Sequence, residues 1–327
     1  GFQRGNVPNI PSNVARFPTD TYQGLDMTTV TPILSNDPLS MLRSWEPVKT
    51  PGFYRDQTGT MQSTEGVAQI VYRSDDGAAL GSIGANADVI SNRAKVDLFD
   101  ELRARGVLAD LSCGEFDNGQ IVWLQGRSAQ GRAEIRPGHE IQNRLTMVDG
   151  YVGKTTLQIC DFNYNVFCKN QWRAIGRATT KNGHRIRHTS RVKLRFDDMV
   201  KQIMASAERF RHNIEMLKHL DKQRADFTDL RAMLDSIAPL PAKVDQELGR
   251  VTERTIARVQ NTRDRIAWAY EYAPAAAPGT RYGILQAVTY WCTHDRGHDR
   301  TRAKANMLGE GARIGQQAML DLLDRRN

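Results

Sequence analysis

No apolar run in this chain approaches the roughly 20 residues a helix needs to cross a bilayer. The first stretch, "GFQRGNVPNIPSNVARF", has no hydrophobic signal core. The expectation is a cytoplasmic protein with no membrane partner. Cysteine is scarce: Cys113, Cys160, Cys168 and Cys292 are scattered along the 327 residues, too thinly for a secreted disulfide scaffold. There is no Gly-x-Ser-x-Gly elbow and no acidic cluster suited to two-metal nuclease work. "GYVGKTT" (150–156) glances at a phosphate-binding loop, but it lacks the first glycine at the required distance and runs into a strand. Nothing here calls for catalysis or for a cofactor.

The most informative absence is local. "KNQWRAIGRATTKNGHRIRHTSRVKLR", residues 169–195, holds nine Lys or Arg and not one Asp or Glu. Outside it, 36 basic residues face 37 acidic ones, so the net charge of +8 is concentrated in this run. A concentrated field is better grounds for a polyanionic partner than a diffuse high pI. The two halves of the chain differ accordingly. Residues 1–160 carry 15 basic and 18 acidic side chains, and residues 161–327 carry 30 and 19.

Within the run, Lys169, Arg173 and Arg177 step by four. Arg185, Arg187, Arg191, Lys193 and Arg195 step mostly by two, as on a strand that presents alternate positions to one side. Such a row repels itself unless an anion neutralises it. Aromatics lie close by, with Tyr164 and Trp172 the candidates for stacking on bases. The eight cations named are therefore expected phosphate contacts, arginine suiting bidentate recognition. The competing reading is a solvated sheet face with aromatics in the core. A second constellation, "WCTHDRGHDR", offers Cys292, His294 and His298 as a weak metal candidate. A structural zinc site needs a fourth ligand, none is near in sequence, and Gly297 interrupts the helix between the histidines. A hydrogen-bonded polar cluster is the preferred reading.

The expected class is α+β: a twisted mixed or antiparallel sheet of six to eight strands, then a helical region, preceded by an extended arm. Seven of the twelve prolines fall within the first 51 residues, which marks 1–62 as that Pro-rich arm. Residues 63–196 read as a β-rich core domain with one helix, and 197–327 as helices packing on the core or on neighbouring subunits. Hairpin turns are expected at Asp75-Asp76-Gly77 and Asp117-Asn118-Gly119. A helix is expected over "NRAKVDLFDELRARG", burying Val96, Phe99 and Leu102 and ending at Gly106. Met199, Ile203, Ala207, Phe210, Ile214 and Leu217 form the stripe of a long amphipathic helix. Pro239 and Pro241 precede a second long helix, from about Val244 to Tyr270.

"TEGVAQIVYRSDDGAALGSIG", "DLFDELRARG", "LSCGEFDNGQIVWLQGR", "NVFCKNQW", "RHTSRVKLR" and "GTRYGILQAVTYWCTHDRG" follow one another in an order that resembles a phage- and plasmid-associated family. The family is known as domain of unknown function nine hundred and thirty-two, and the resemblance covers residues 60 to about 320. Arg73, Asp75, Trp123, Cys168, Asn170, Arg187, His188, Thr189, Ala287, Val288 and His294 match its motifs. Lys169 and Gln286 stand where it more often has Asn. The resemblance implies a mobile-element protein of a bacterial host engaged in DNA transactions, and it brings no settled activity.

The leading expectation is a non-enzymatic binder or annealer of single-stranded DNA in recombination or replication. It would act through a basic groove at 169–195 in a ring or helical homo-oligomer. The alternatives are a structural or assembly protein of a virion or mobile-element complex, and a metal-dependent nucleic-acid enzyme.

Overall fold

Asp75, Asp76 and Gly77 close a hairpin because Gly77 accepts a positive φ of 73° and its N–H returns to the Arg73 carbonyl at 3.1 Å. The strands it joins are β4 (Ala68–Arg73) and β5 (Ala79–Gly84). The computed structural model describes residues 37–55, 57–151, 157–166, 171–173, 185–186, 206–274, 276–297 and 299–324. Of the expected arm, 1–36 lies outside the described residues, and much of the remainder is built into the fold. A short helix, α1 (Ser40–Arg43), leads into β1 (Pro47–Pro51), which pairs antiparallel with β4 to make the three-stranded sheet β1-β4-β5. Leu39, Leu42 and Trp45 are buried there. Three apolar anchors among prolines carry no period, so the strap-like composition concealed a packed segment. Only the small hairpin of β2 (Phe53–Arg55) and β3 (Met61–Ser63) stands out from the body, all six residues exposed.

The second element expected from turn chemistry is also present. Asp117, Asn118 and Gly119 all take positive φ and join β6 (Leu108–Phe116) to β7 (Ile121–Glu134). Next come β8 (Glu140–Gly150) and β9 (Leu157–Asn165), with the short strands β10 (Gln171–Arg173) and β11 (Arg185–Ile186). These six form one sheet in the order β10-β9-β8-β7-β6, with β11 also on β9. Every strand pairing among the described residues is antiparallel. The protein is α+β.

Alternation along β7, β8 and β9 gives the sheet two faces. On one face Val122, Leu124, Leu145, Met147, Leu157 and Ile159 pack beneath α2 (Asn92–Ala104). Val96, Phe99 and Leu102 of α2 are buried as the sequence spacing requires, and Gly106 ends the helix region at φ 69°. The N-terminus of α2 is held twice. Ser91 Oγ accepts from Ala94 N at 3.1 Å, and the Glu46 carboxylate accepts from Asn92 N and Arg93 N at 2.6 and 3.0 Å. On the opposite face Trp123, Val148, Cys160 and Phe162 form a smaller apolar cluster. Gly114 makes room for it: a Cβ there would lie 2.4 Å from the Trp123 ring.

The C-terminal part is helical. It comprises α3 (Ser206–Lys222), α4 (Phe227–Ile237), α5 (Lys243–Glu247), α6 (Glu253–Tyr272), α7 (Arg281–Tyr290), a π turn (Trp291–Asp295), α8 (Asp299–Leu308) and α9 (Glu310–Asp324). Phe210, Ile214 and Leu217 of the expected stripe are buried, while Met199 and Ile203 lie outside the described residues. The expected helix from 244 to 270 is two helices. Gly249 at φ 65° ends the first, and Thr252 caps the second by accepting from Thr255 N at 3.3 Å. The helices bury a second core that reaches the sheet at Ile135 and Ile141.

Candidate nucleic-acid interface

β8 pairs with one edge of β9, so β10 and β11 share the other. β10 sets Gln171, Trp172 and Arg173 opposite Tyr164, Asn163 and Phe162. β11 sets Arg185 and Ile186 opposite Gln158 and Leu157. The chain therefore leaves β9, returns to its outer edge at one end and is found again on that edge at the other. Trp172, Arg173 and Arg185 belong to these edge strands. Lys169, Arg177, Arg187, Arg191, Lys193 and Arg195 lie outside the described residues.

Tyr164, the other stacking candidate, is half-buried near the end of β9. The Arg144 guanidinium sits 4.2 Å from its ring centroid and donates from Nη1 to Gln125 Oε1 at 3.1 Å. One face of Tyr164 is thus already used by a cation from the neighbouring strand. Burial presses the Arg144 pKa below its ordinary value, with Arg127 adding repulsion. The pair is a cation–aromatic step set into the sheet, one strand in from the edge that carries β10.

Between the two large cores, the sheet carries a polar band that sequence reading did not anticipate. Asn143 faces Asn163 across β8 and β9, and both are fully buried. Asp161, on the same face, accepts from Arg209 Nε of α3, and Asn213 one turn on donates to the Arg209 carbonyl at 2.7 Å. Neither side-chain polar atom of Asn163 has a hydrogen-bond partner. Such a band fixes the helices to the sheet, and it offers donors and acceptors but no nucleophile. The signal was available in the sequence: Ile141, Asn143, Leu145, Met147 and Asp149 share a parity, so the polar members had to be buried among the apolar ones.

Of the metal candidates, Cys292 and His294 have surroundings of their own in the helical region. Cys292 belongs to the helical core, and burial pushes its thiol up to about 12. His294 packs against Tyr290 with ring centroids 4.5 Å apart, and His298 lies outside the described residues. Asp295, raised mainly by burial, faces Arg265 at 3.6 Å. Among the described residues no group of three His, Cys, Asp or Glu side chains could hold a metal ion.

The motif residues have architectural surroundings. Arg73 donates to Asp75 and to Glu115, each at 2.8 Å, and lies 4.3 Å over the Trp45 ring. Ala287 and Val288 line the helical core beside buried Gln286. Cys168, Asn170, Arg187, His188 and Thr189 lie outside the described residues. No helix among the described residues is long and apolar enough to cross a membrane.

No curated protein and no solved structure matches the chain. A family model does match it, over residues 79–316, which takes in every strand from β5 to β11 and the helices from α2 through α8. The chain belongs to the family described as Domain of unknown function (DUF932).

Proposed function

We propose that this protein binds the phosphate backbone of single-stranded nucleic acid with the segment 169–195, as a DNA-binding or annealing protein of a mobile element. The observation that carries the reading is the attachment of an acid-free, nine-cation run to one edge of one strand. Trp172 stands opposite Asn163, and Arg185 stands opposite Gln158. Arg173 of β10 and Arg185 of β11 thus belong to strands on the same edge of β9, which supports reading the run as one cationic surface for an extended polyanion. The Arg144–Tyr164 step in the next strands supports aromatic contact near that edge.

Labelled oligonucleotides, single- and double-stranded, titrated across a salt series, test this. Each phosphate neutralised on a single strand adds about −0.7 to the log–log slope, so half to two-thirds of eight cations give roughly −3 to −4. Arg185/Arg187/Arg191→Ala is expected to flatten the slope by about 2. Salt-insensitive binding, or a variant indistinguishable from wild type, would remove the segment from the interface.

Assembly of several copies is a companion proposal. It is supported by the β2–β3 hairpin, where Phe53, Tyr54 and Met61 are 68, 54 and 55% exposed. A two-stranded ribbon without a covered face is marginal by itself. Phe53→Ser/Tyr54→Ser is expected to lower the mass measured by light scattering if the hairpin joins subunits. An unchanged mass assigns it no such role.

A further inference from the structure

The outer face of α6 carries a second row of cations, distinct in sequence from the segment above. Glu253–Tyr272 is a 20-residue helix whose buried face presents Arg263, Ile266, Ala269 and Tyr270 to the core. Opposite it, Arg254, Arg258, Asn261, Arg265, Trp268 and Tyr272 recur at intervals of four and three. At 3.6 residues per turn they share an arc of about 80°. No acid stands in the row. Glu253, Asp264 and Glu271 fall on one flank, about a quarter-turn away, and the Glu271 carboxylate meets the Tyr272 hydroxyl, which leaves the ring face of Tyr272 to a ligand.

Arg254 and Arg258 are exposed, one turn apart, and among the described residues their guanidinium groups pair with no carboxylate. Like charges at this spacing repel. The row ends in rings: Trp268 packs against Tyr272 at 6.4 Å between centroids and against Tyr290 at 6.2 Å, and Tyr290 continues to His294 at 4.5 Å. Tyr272, at the outer end, is 64% exposed. Arg254 and Arg258, then Arg265 facing Asp295 at 3.6 Å, thus lead along one helix face into a tier of tilted ring contacts carried by two helices and the π turn.

That sequence of parts matches one chemistry, in which phosphates meet guanidinium groups while unstacked bases meet aromatic faces. We propose that the outer face of α6 is a single-strand platform, with Arg254 and Arg258 contacting phosphates and Tyr272, backed by Trp268, stacking on a base. It rests on the reading that the chain binds nucleic acid, but not on the segment 169–195. Duplex DNA keeps its bases stacked inside and cannot use the aromatic end, so this face supplies the preference for single strands.

The test uses the full-length protein with an oligothymidylate, an abasic oligomer of equal length and a duplex. Wild type is expected to bind oligothymidylate roughly five- to a hundredfold more tightly than the abasic strand, the range for one stacked base. Tyr272→Ala should remove most of that ratio, and Trp268→Phe, which keeps a ring and the packing, should retain it. Arg254→Ala/Arg258→Ala should reduce the salt slope by about 1.4 on both strands and leave the ratio intact. Tyr272→Ala with an unchanged ratio, or the arginine pair with an unchanged slope, overturns the platform. Should those variants act as expected while Arg185/Arg187/Arg191→Ala binds like wild type, the proposal for 169–195 fails and this one stands. The converse pattern overturns this one and leaves the segment 169–195 as the interface, and absence of binding to every strand overturns both.

Discussion

Two arginine environments in this protein differ in what surrounds the guanidinium. Arg73 is 10% exposed at its side chain, held by Asp75 and Glu115, with Asp76 at 3.6 Å and the Trp45 ring beneath it. Arg254 and Arg258 are exposed, with no carboxylate partner among the described residues. The first has its charge neutralised within the fold and its donors used, so it joins the β4–β5 turn to β6. The second pair has neither among the described residues. A cation whose partners are internal is part of the architecture, whereas one left without them is available to a ligand. Lys95 belongs with Arg73: it meets Asp149 at 2.7 Å with both side chains fully buried, and it donates to Tyr151 Oη at 2.9 Å.

The largest expected effect lies at that buried pair. Asp149→Ala leaves an ammonium in the core and should cost about 3–5 kcal/mol, read as a fall in the urea midpoint. Lys95→Met/Asp149→Leu should restore most of the loss, because the penalty comes from an uncompensated charge and not from lost attraction. A single variant as stable as wild type would dissolve the distinction drawn between internal and external cations.

Next comes Arg73→Ala, which leaves two carboxylates facing one another and uncovers Trp45. The cost is about 2 kcal/mol, with oligonucleotide binding unchanged. Acid should narrow the difference. Arg73's hydrogen bond is the main cause holding the Asp75 carboxyl below its ordinary 3.8, so the folded-state pKa is depressed. The stability this contributes is fully present above the unfolded value and is lost as pH falls through the folded one. The gap between variant and wild type should therefore be flat from neutrality to about pH 5 and shrink below about pH 4. A gap that stays constant into acid would mean that Arg73 acts through Trp45 alone.

What was legible in the sequence divides along similar lines. Local chemistry was readable: Gly77, Gly106 and Asp117-Asn118-Gly119 punctuate the chain where their φ values require, and the stripe of α2 faces the core. Long-range chemistry was not. Leu39, Leu42 and Trp45 enter the core through contacts with α2 and β6 that no local period announces. The Asp161–Arg209 link joins residues 48 apart in sequence, across a segment outside the described residues. The α6 face was readable in principle, since Arg254, Arg258, Arg265, Trp268 and Tyr272 recur at helical spacing. The cationic run 169–195 was conspicuous because it is contiguous, while an equally one-signed row spread over five turns of helix is not.

The smallest expected effect is also the most discriminating. Thr252 caps α6, so Glu253 is its first residue and Arg254 its second. The unpaired N–H groups of a first turn carry partial positive charge, which favours acids there and disfavours cations by about 0.3–1 kcal/mol at exposed sites. Arg258, one turn on, adds repulsion of a few tenths of a kcal/mol. Arg254 is thus the wrong charge in the wrong turn as far as the helix is concerned, and no carboxylate among the described residues compensates it. Arg254→Gln should raise the melting temperature slightly, by about 1–2 °C for a chain of this size, while weakening oligonucleotide binding. Opposite signs in the two measurements would identify a cation kept for a ligand at the helix's expense. If stability instead fell together with binding, Arg254 would belong with Arg73 among the residues that hold the fold, and the line between the two environments would have to be drawn elsewhere.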